Sequence, residues 1–133
     1  MATKIKVKNG PAEISLEEVV IGDQVLLGIF IEEETAPDVF AAQDLTNYDV
    51  TAHVKDNLRN DTEPDFSFTV VKRNQVTERG WVDLTLLGTI TSQFTEKEWF
   101  GSVRMAPTGT PAAGITVAVI TMPAKFRATR YVA

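Results

Sequence analysis

The stretch "YDVTAHVK", Tyr48 to Lys55, alternates apolar and polar side chains along its whole length. A period of two is typical of a β-strand with one face on a core and the other in solvent. The side chains predicted to face the core are those of Tyr48, Val50, Ala52 and Val54. Those predicted to face outward belong to Asp49, Thr51, His53 and Lys55. The outward set contains the one histidine of the chain, so this predicted strand also holds the main candidate for a catalytic residue.

The same alternation recurs in short segments on both sides of this strand, separated by turns rich in Gly, Pro, Asn and Asp. The further predicted strands lie within 4–8, 12–23, 24–34, 65–71, 81–88, 98–106 and 114–122. Phe66, Phe68 and Val70 are predicted to point inward. Three further sets are predicted to share a face or to lie at alternating positions: Val82, Leu84 and Leu86; Trp99, Val103 and Met105; and Ile115, Val117 and Val119. About seven short strands indicate an all-β fold, an immunoglobulin-like antiparallel β-sandwich with at most one short helical turn.

Some segments are less regular. In "AEISLEEVVIGD", 12–23, Ser15 and Glu18 fit the capping box of a short helix, whereas the apolar positions fit a strand, and we favour extended structure. Val25 to Ile31 is apolar on both faces, which predicts a second cover over the outer face, such as another subunit. Residues 38–44 are predicted as a connection. "TSQFTEKEW", 91–99, is predicted as the helical turn, with Phe94 closing the end of the core.

Length and composition indicate one β-sandwich domain, 1–122, followed by a basic C-terminal arm, 123–133. The chain has 133 residues, of which 44% are hydrophobic and 23% are charged, as in ordinary globular proteins. A formal net charge of −5 argues against nucleic acid as a partner. The absence of cysteine excludes disulfides and thiolate metal sites, and no apolar run is long enough to span a membrane.

A catalytic role for His53 would need a nucleophile or acid held within hydrogen-bonding reach. Asp49 shares its predicted face but lies four residues away along the strand, and the chain has no "GxSxG" motif. We therefore predict that the chain is not an enzyme and that His53 faces solvent or an interface.

Two other patterns resemble binding sites. The run Glu32 to Glu34 with Asp38 could supply oxygen ligands to calcium, but no calcium-loop spacing accompanies it, and a solvated strand end is the simpler interpretation. "TGTPAAG", 108–114, lacks the lysine of a phosphate loop and is predicted as a hairpin tip. We expect no cofactor and no metal.

Three features indicate contacts with other proteins. A ladder of alternating lysines could meet an acidic surface or could protect a sheet edge. Two adjacent aromatic residues point to opposite faces, so one of them could be exposed, unless the sandwich is fully covered. A basic terminal arm could tie subunits together or could fray. The candidate interface residues are Lys4, Lys6 and Lys8; Trp99 and Phe100; and Lys125, Arg127 and Arg130.

Several short motifs together suggest a family. They are Gly22 and Asp23 before the long apolar strand, "DLTNY" at 44–48, "GWVDLTL" at 80–86, Thr91 with Phe94, "WFGSVRM" at 99–105 and "GITVAVITM" at 114–122. From about Ile14 to Met122 the chain resembles the immunoglobulin-like N-terminal domain of phage upper baseplate proteins and related small tailed-phage virion proteins. The lysine ladder and the basic arm depart from that pattern. The larger regions that follow in upper baseplate proteins have no counterpart here.

The resemblance implies a non-enzymatic structural protein of a tailed-phage virion, namely a tail, baseplate or neck adaptor, or a capsid decoration. Its partners would be other virion proteins in a homo-oligomer or symmetric assembly, and it would be assembled in the host cytoplasm. The alternative is a carbohydrate- or receptor-binding β-sandwich module, with Trp81 and Trp99 as platforms for sugar rings and Asp83 as a polar partner.

Overall fold

The computed structural model describes residues 5–7, 13–16, 18–56, 66–109 and 115–126. The strands of one sheet are β1 (Ile5–Val7), β4 (Val25–Ala36), β5 (Val39–Ala42), β8 (Thr69–Lys72) and β9 (Trp81–Leu86). The strands of the other sheet are β2 (Glu13–Ser15), β3 (Val19–Val20), β6 (Tyr48–Lys55), β7 (Phe66–Ser67), β10 (Lys97–Pro107) and β11 (Ile115–Lys125). One short helix, α1 (Gly88–Thr91), follows β9.

The order of the strands identifies the fold. The first sheet runs β1-β4-β9-β8, with β5 also paired to β4, and the second runs β2-β11-β10-β6-β7, with β3 also paired to β11. Strands β4, β8 and β9 lie in the first sheet and β6, β10 and β11 in the second, which is how the B, D and E strands and the C, F and G strands of an immunoglobulin domain are divided. The predicted immunoglobulin-like β-sandwich is confirmed, although β2 and β3 pair with β11 in the parallel sense.

The core lies between the two sheets and is lined by the alternate residues that the sequence predicts. Val50, Ala52 and Val54 of β6 are buried, and so are Val82, Leu84 and Leu86 of β9. The outward residues of β6 are exposed or half-buried. Burying one apolar face of each sheet in this way is the main source of stability of a β-sandwich.

The segment "DFSFTVV" forms two strands where the sequence predicts one. β7 pairs with β6 in the second sheet, and β8 pairs with β9 in the first sheet. Phe68 lies at the crossing, where it is buried and its amide donates to the carbonyl of Ala52 at 2.9 Å. The inward direction predicted for Phe66, Phe68 and Val70 is nevertheless correct, because Phe66 and Val70 pack against the core.

The common face predicted for Ile115, Val117 and Val119 of the last strand is wrong beyond Val117. A register shift on β11 places both Val117 and Ala118 in the core. Such a bulge inserts one extra residue and reverses the phase of all later side chains. Val119 therefore faces outward, and the inward residues are Ile120, Met122 and Ala124.

Two further predicted boundaries are wrong. Residues 39–42 form β5, which pairs with the end of β4, rather than an open connection. The turn between them has Asp38 at φ 62°, a conformation that Asp tolerates better than most residues. The helical turn occurs at Gly88–Thr91, earlier than predicted, but Phe94 does close the core and is buried as expected.

β11 also continues into the residues predicted as the start of the arm. Pro123 lies between Thr121, the last residue paired with β2, and Ala124, the first paired with β3. Proline has no amide hydrogen to donate, so it fits the gap between these two short partners. The rest of the predicted arm, from residue 127, lies outside the described residues.

Thr91 closes the end of the sandwich that carries α1. Its buried hydroxyl accepts a hydrogen bond from the amide of Gly22 at 3.2 Å and donates to the carbonyl of Asp23 at 2.7 Å. A Cβ on Gly88 would lie 2.6 Å from the carbonyl oxygen of Gly22, so glycine is required for this close approach. Motifs far apart in the sequence thus meet here as structural contacts.

Candidate interaction surface

The first sheet presents an outer surface made by three neighbouring strands. Three cross-strand rows compose it: Leu26, Thr85 and Thr69; Gly28, Asp83 and Val71; and Phe30, Trp81 and Arg73. We call these nine residues the β4–β9–β8 outer face. They point away from the core because the intervening residues, such as Val82 and Leu84, point into it.

Two apolar side chains of this face are mostly exposed. Leu26 is 69% exposed and Val71 is 57% exposed. Phe30 and Trp81 are half-buried because they pack on each other, with ring centroids 5.0 Å apart. The cover predicted for the outer side of Val25 to Ile31 is therefore supplied within the chain for Phe30, but Leu26 is left exposed.

Arg73 is held against the face by several groups. Its Nε lies 3.0 Å from both carboxylate oxygens of Asp83, its Nη2 lies 2.8 Å from Oδ1 of Asp83, and its Nη1 lies 3.1 Å from Glu78. The guanidinium also lies over the Trp81 ring, 5.0 Å from its centroid. These hydrogen bonds lower the pKa of Asp83 and raise the pKa of Arg73. Both charges of the face are therefore paired.

Gly28 makes room for this arrangement. A Cβ at Gly28 would lie 3.4 Å from Nη2 of Arg73 and 3.9 Å from both Asp83 and Trp81. The side chain of a larger residue at this position of β4 would crowd the guanidinium. Close approach of a neighbouring group is a common reason for glycine inside a strand.

The turn between β8 and β9 positions Arg73 and Trp81. The Gln75 side chain accepts hydrogen bonds from the amides of Leu45 and Gly80, each at 3.0 Å, and donates to the carbonyl of Arg73 at 2.8 Å. Gly80 has φ 85°, and a Cβ there would lie 2.6 Å from the carbonyl oxygen of Ile31. Gln75 and Gly80 therefore fix the backbone positions of Arg73 and Trp81 at this end of the face.

The opposite outer surface, on β6, β10 and β11, has different chemistry. Thr51 lies opposite Arg104, His53 opposite Ser102, and Lys55 opposite Phe100. Nδ1 of His53 and the Ser67 hydroxyl are hydrogen-bonded at 3.0 Å. We call this the β6–β10–β11 outer face; it carries charges of both signs, because the exposed Asp49 and Glu98 lie on it together with Lys55 and Arg104.

The surroundings of His53 do not resemble those of a catalytic base. Its pKa is lowered first by burial and then by the positive charges of Arg104 and Lys55. A catalytic dyad or triad instead places an acid beside the imidazole, which stabilises the protonated ring. His53 lies on the outward face of β6, as predicted, and is half-buried.

Trp99 is not a surface residue, contrary to its predicted roles as a contact and as a sugar platform. It is only 7% exposed, it stacks on Phe94 with centroids 4.7 Å apart, and its indole donates to the carbonyl of Thr95 at 3.1 Å. The alternation of β10 turns Trp99 inward, which leaves Phe100 half-buried on the outer side.

The cationic contact candidates are described only in part. Lys125 forms an ion pair with Glu18 at 2.7 Å, which raises the pKa of Lys125 and links β11 to the segment before β3. Lys6 lies on β1, and its register places it opposite Glu32 of the same chain. The candidates outside the described residues are Lys4, Lys8, Arg127 and Arg130, together with the side chain of Lys6.

Two kinds of feature are absent from the described ranges. No cluster of three or more His, Cys, Asp or Glu side chains there could hold a metal ion. No helix in the described part of the chain is long and apolar enough to cross a membrane.

Sequence reasoning found part of this surface. Trp81 and Asp83 lie two residues apart on one strand, so their common outward face is readable from the sequence. Arg73 was missed, because it follows β8 and meets Asp83 only through the pairing of two strands. The signal available was Gly28, the one residue without a side chain within a long apolar strand.

Comparison with known proteins adds little to these observations. No protein-family model and no curated protein matches the chain. A similar solved structure is the ASH / PapD-like domain of human CEP192 (PapD-like domain 7), with a TM-score of 0.39 and 12% sequence identity, covering 93% of this chain and 87% of that chain. The fold assignment rests on the strand order of the protein itself.

Proposed function

We propose that this chain is a non-enzymatic structural protein of a tailed-phage virion, where it acts through contacts between subunits. The virion assignment depends on the sequence motifs that resemble small tailed-phage proteins. The contact role is supported by one observation above all, the exposed Leu26 and Val71 on a face whose charges are paired.

Exposed apolar side chains on a regular strand favour a protein partner. Leu26 and Val71 together offer apolar area that association would remove from water. The Arg73–Asp83 pair beside them is already hydrogen-bonded, so covering it leaves neither charge without a partner. Ordered aromatic and arginine side chains are also common at the centre of protein interfaces.

The alternative carbohydrate-binding role has less support. Trp99 is buried, which removes one of the two proposed platforms. Trp81 has Arg73 lying over its ring, and Asp83 is bonded to the same guanidinium. A sugar ring would have to displace this group before it could stack.

The proposal is tested by counting copies of the chain in particles. Phage particles from the source are purified by density, and peptides of this chain are quantified by mass spectrometry relative to the major capsid protein. Hundreds of copies per particle would identify a capsid decoration, whereas about six or twelve would indicate a neck or baseplate ring. Absence from the particle would overturn the proposal.

A further inference from the structure

We propose that the centre of the β6–β10–β11 outer face binds a single oxyanion, a carboxylate or phosphate group, through Arg104, His53 and the hydroxyl groups beside them. This inference goes beyond the proposed function and does not depend on it. The site is defined by the chemistry of one face and not by the place of the chain in a particle.

Two neighbouring cross-strand rows of side chains, which we call the central rows, make up the site. In each row a nitrogen-bearing side chain lies between hydroxyl side chains of the two adjacent strands. The central rows are Thr51, Arg104 and Thr116, and Ser67, His53 and Ser102. All six residues are exposed or half-buried. Side chains opposite each other on paired strands have Cβ atoms about 5 Å apart, so the six polar groups lie close together.

The central rows offer hydrogen-bond donors and contain no carboxylate. A guanidinium has donors only, and a protonated imidazole donates from both of its nitrogens. Hydroxyl groups can rotate to donate to whatever acceptor is near them. Hydrogen bonds from charged donors to oxyanions are stronger than those between neutral groups. This set of groups is therefore complementary to an oxyanion and not to a cation.

The guanidinium of Arg104 is available to a ligand. Arg104 is exposed, and no ion pair among the described residues includes it. Arg73 on the other sheet is different, because it is already bonded to Asp83 and Glu78. The charge of Arg104 acts on the His53 imidazole, so an anion between these two side chains would be attracted to both.

The exposed acidic residues of this face lie outside the central rows. Asp49 lies one row beyond Arg104, and Glu98 lies on the other side, two rows beyond His53. Each acid is thus four residues along a strand from the His53 row, which is about 14 Å. Among the described residues, the charges that act on the imidazole are those of Arg104 and Lys55, both positive. The centre of the face is therefore positive, although the face as a whole carries both signs.

The charge of the whole chain limits the ligand to a single group. A formal net charge of −5 repels a polyanion such as nucleic acid, which carries many phosphates. One carboxylate or phosphate group needs only the local positive charge. Because exposed ion pairs contribute little free energy, we expect a dissociation constant of the order of 10 mM for a small anion.

Protonation of His53 should strengthen the binding. The ring is held beside Ser67 by the bond at 3.0 Å, and a proton on it adds positive charge next to Arg104. Coupling between two ligands is reciprocal, so a bound anion must raise the proton affinity of the imidazole by the same factor. The chain has one histidine, so its NMR signal reports this coupling without ambiguity.

The test is an NMR titration of His53 in the full chain, from about pH 8 to about pH 5, where histidine changes its charge. It is carried out in sodium chloride, sodium phosphate and sodium acetate at one ionic strength, so that screening is the same in all three. We expect about 50 mM phosphate or acetate to raise the proton affinity of His53 by roughly twofold or more relative to chloride. A response to phosphate alone would identify a phosphate group as the ligand, and a response to acetate would identify a carboxylate.

Variants assign the response to this site. Arg104→Gln is expected to abolish the difference between the salts. Arg79→Gln is the matched control, because it removes the same charge from the turn between β8 and β9 and should respond like the wild type. Asp49→Asn removes the negative charge nearest to Arg104 and is expected to increase the response.

Three results would overturn the inference. They are identical His53 titrations of the wild type in all three salts, a full response in Arg104→Gln, and a loss in Arg79→Gln as large as that in Arg104→Gln. Amide spectra show that each variant is folded. Copy counting in particles is independent of this test, so the virion assignment and the oxyanion site can fail separately.

Discussion

The two outer faces of the sandwich differ in chemistry. On the β4–β9–β8 outer face, apolar side chains surround an Arg73–Asp83 pair that is bonded at 2.8 Å. On the β6–β10–β11 outer face, His53, Lys55 and Arg104 are interspersed with hydroxyl side chains. The difference shows that strand alternation decides which residues enter the core but leaves the chemistry of the outer positions unconstrained.

The largest expected loss of stability follows the addition of a methyl group at a buried glycine, and it should differ between Gly80, just before β9 of the first sheet, and Gly101 in β10 of the second sheet. Gly80 has φ 85°, and its Cβ would lie 2.6 Å from the backbone oxygen of Ile31. Gly101 on β10 would place its Cβ 3.3 Å from the side chains of Ile120 and Phe68. We expect Gly80→Ala to lower the free energy of unfolding by about 3 kcal/mol or more, because backbone cannot move aside. We expect Gly101→Ala to lower it by about 1 kcal/mol.

Urea denaturation of both glycine variants measures these free energies. Gly109 offers a matched control, because it has a similar φ of 83° with nothing within 4 Å of its Cβ position. Gly109→Ala should show the cost of the backbone conformation alone. Equal losses for Gly80→Ala and Gly109→Ala would show that the contact with Ile31 contributes nothing.

Removing an arginine should affect the two faces unequally. Arg73→Ala removes hydrogen bonds to Asp83 and Glu78 and the contact with Trp81. Arg104→Ala removes an exposed side chain from the opposite face. We expect a lower thermal unfolding midpoint for Arg73→Ala than for Arg104→Ala, measured by circular dichroism. Similar midpoints for the two variants would mean that the Arg73 network stabilises the fold no more than the exposed Arg104 side chain does.

The two faces should lose stability in different ranges of pH. Burial lowers the pKa of His53 below its ordinary value of 6.5, so the unfolded chain binds a proton more readily than the folded one. The hydrogen bonds from Arg73 lower the pKa of Asp83 below its ordinary value of 3.8. Stability should therefore fall as pH decreases in both ranges, first below about 6.5 through His53 and then below about 3.8 through Asp83.

Variants separate these two contributions. Thermal midpoints are measured from pH 8 to pH 3 for the wild type, His53→Gln and Asp83→Asn. His53→Gln is expected to reduce the pH dependence in the upper range alone. Asp83→Asn is expected to reduce it in the lower range alone, where Asp44, whose pKa is lowered by hydrogen bonds from Thr46, still contributes. A wild-type midpoint that rises as pH falls from 7 to 5 would contradict the depressed pKa of His53.

The smallest effect is expected for Leu26→Ser. Because Leu26 is 69% exposed, the substitution should change the free energy of unfolding by less than about 0.5 kcal/mol. Thr51→Ser on the opposite face should change it equally little. A large loss of stability for Leu26→Ser in urea denaturation would show that this side chain supports the fold rather than a contact.

Much of the fold could be predicted from the sequence because inward alternation is a local property. Val82, Leu84 and Leu86 occupy the core as the pattern of β9 predicts. The failures occur where pairing between strands decides the outcome. The bulge near Val117 reverses the inward face of β11, and β7 and β8 belong to different sheets although they are consecutive in sequence.

The candidate surface was less predictable than the fold. The apolar character of Leu26 is evident in the sequence, but a strand apolar on both faces does not reveal which outer residues its own chain covers. Phe30 is covered by Trp81 and Leu26 is not, and this depends on where β9 and the Arg73 side chain lie. Trp99 has the same parity as Val103 and Met105, so the alternation of β10 favours an inward position. Its interpretation as a contact depended instead on the adjacent pair of aromatic residues.

The Thr91 contact with Gly22 and Asp23 has a consequence for the order of folding. It joins residues 69 and 68 positions apart, so most of the chain must be placed before this hydrogen-bonded corner can form. Closure of long loops is entropically costly and slow, which favours late formation of such contacts. We expect the amide of Gly22 to gain protection after those of β9 and β10 in pulse-labelled hydrogen exchange. The corner near α1 would then be the last part of the sandwich to form.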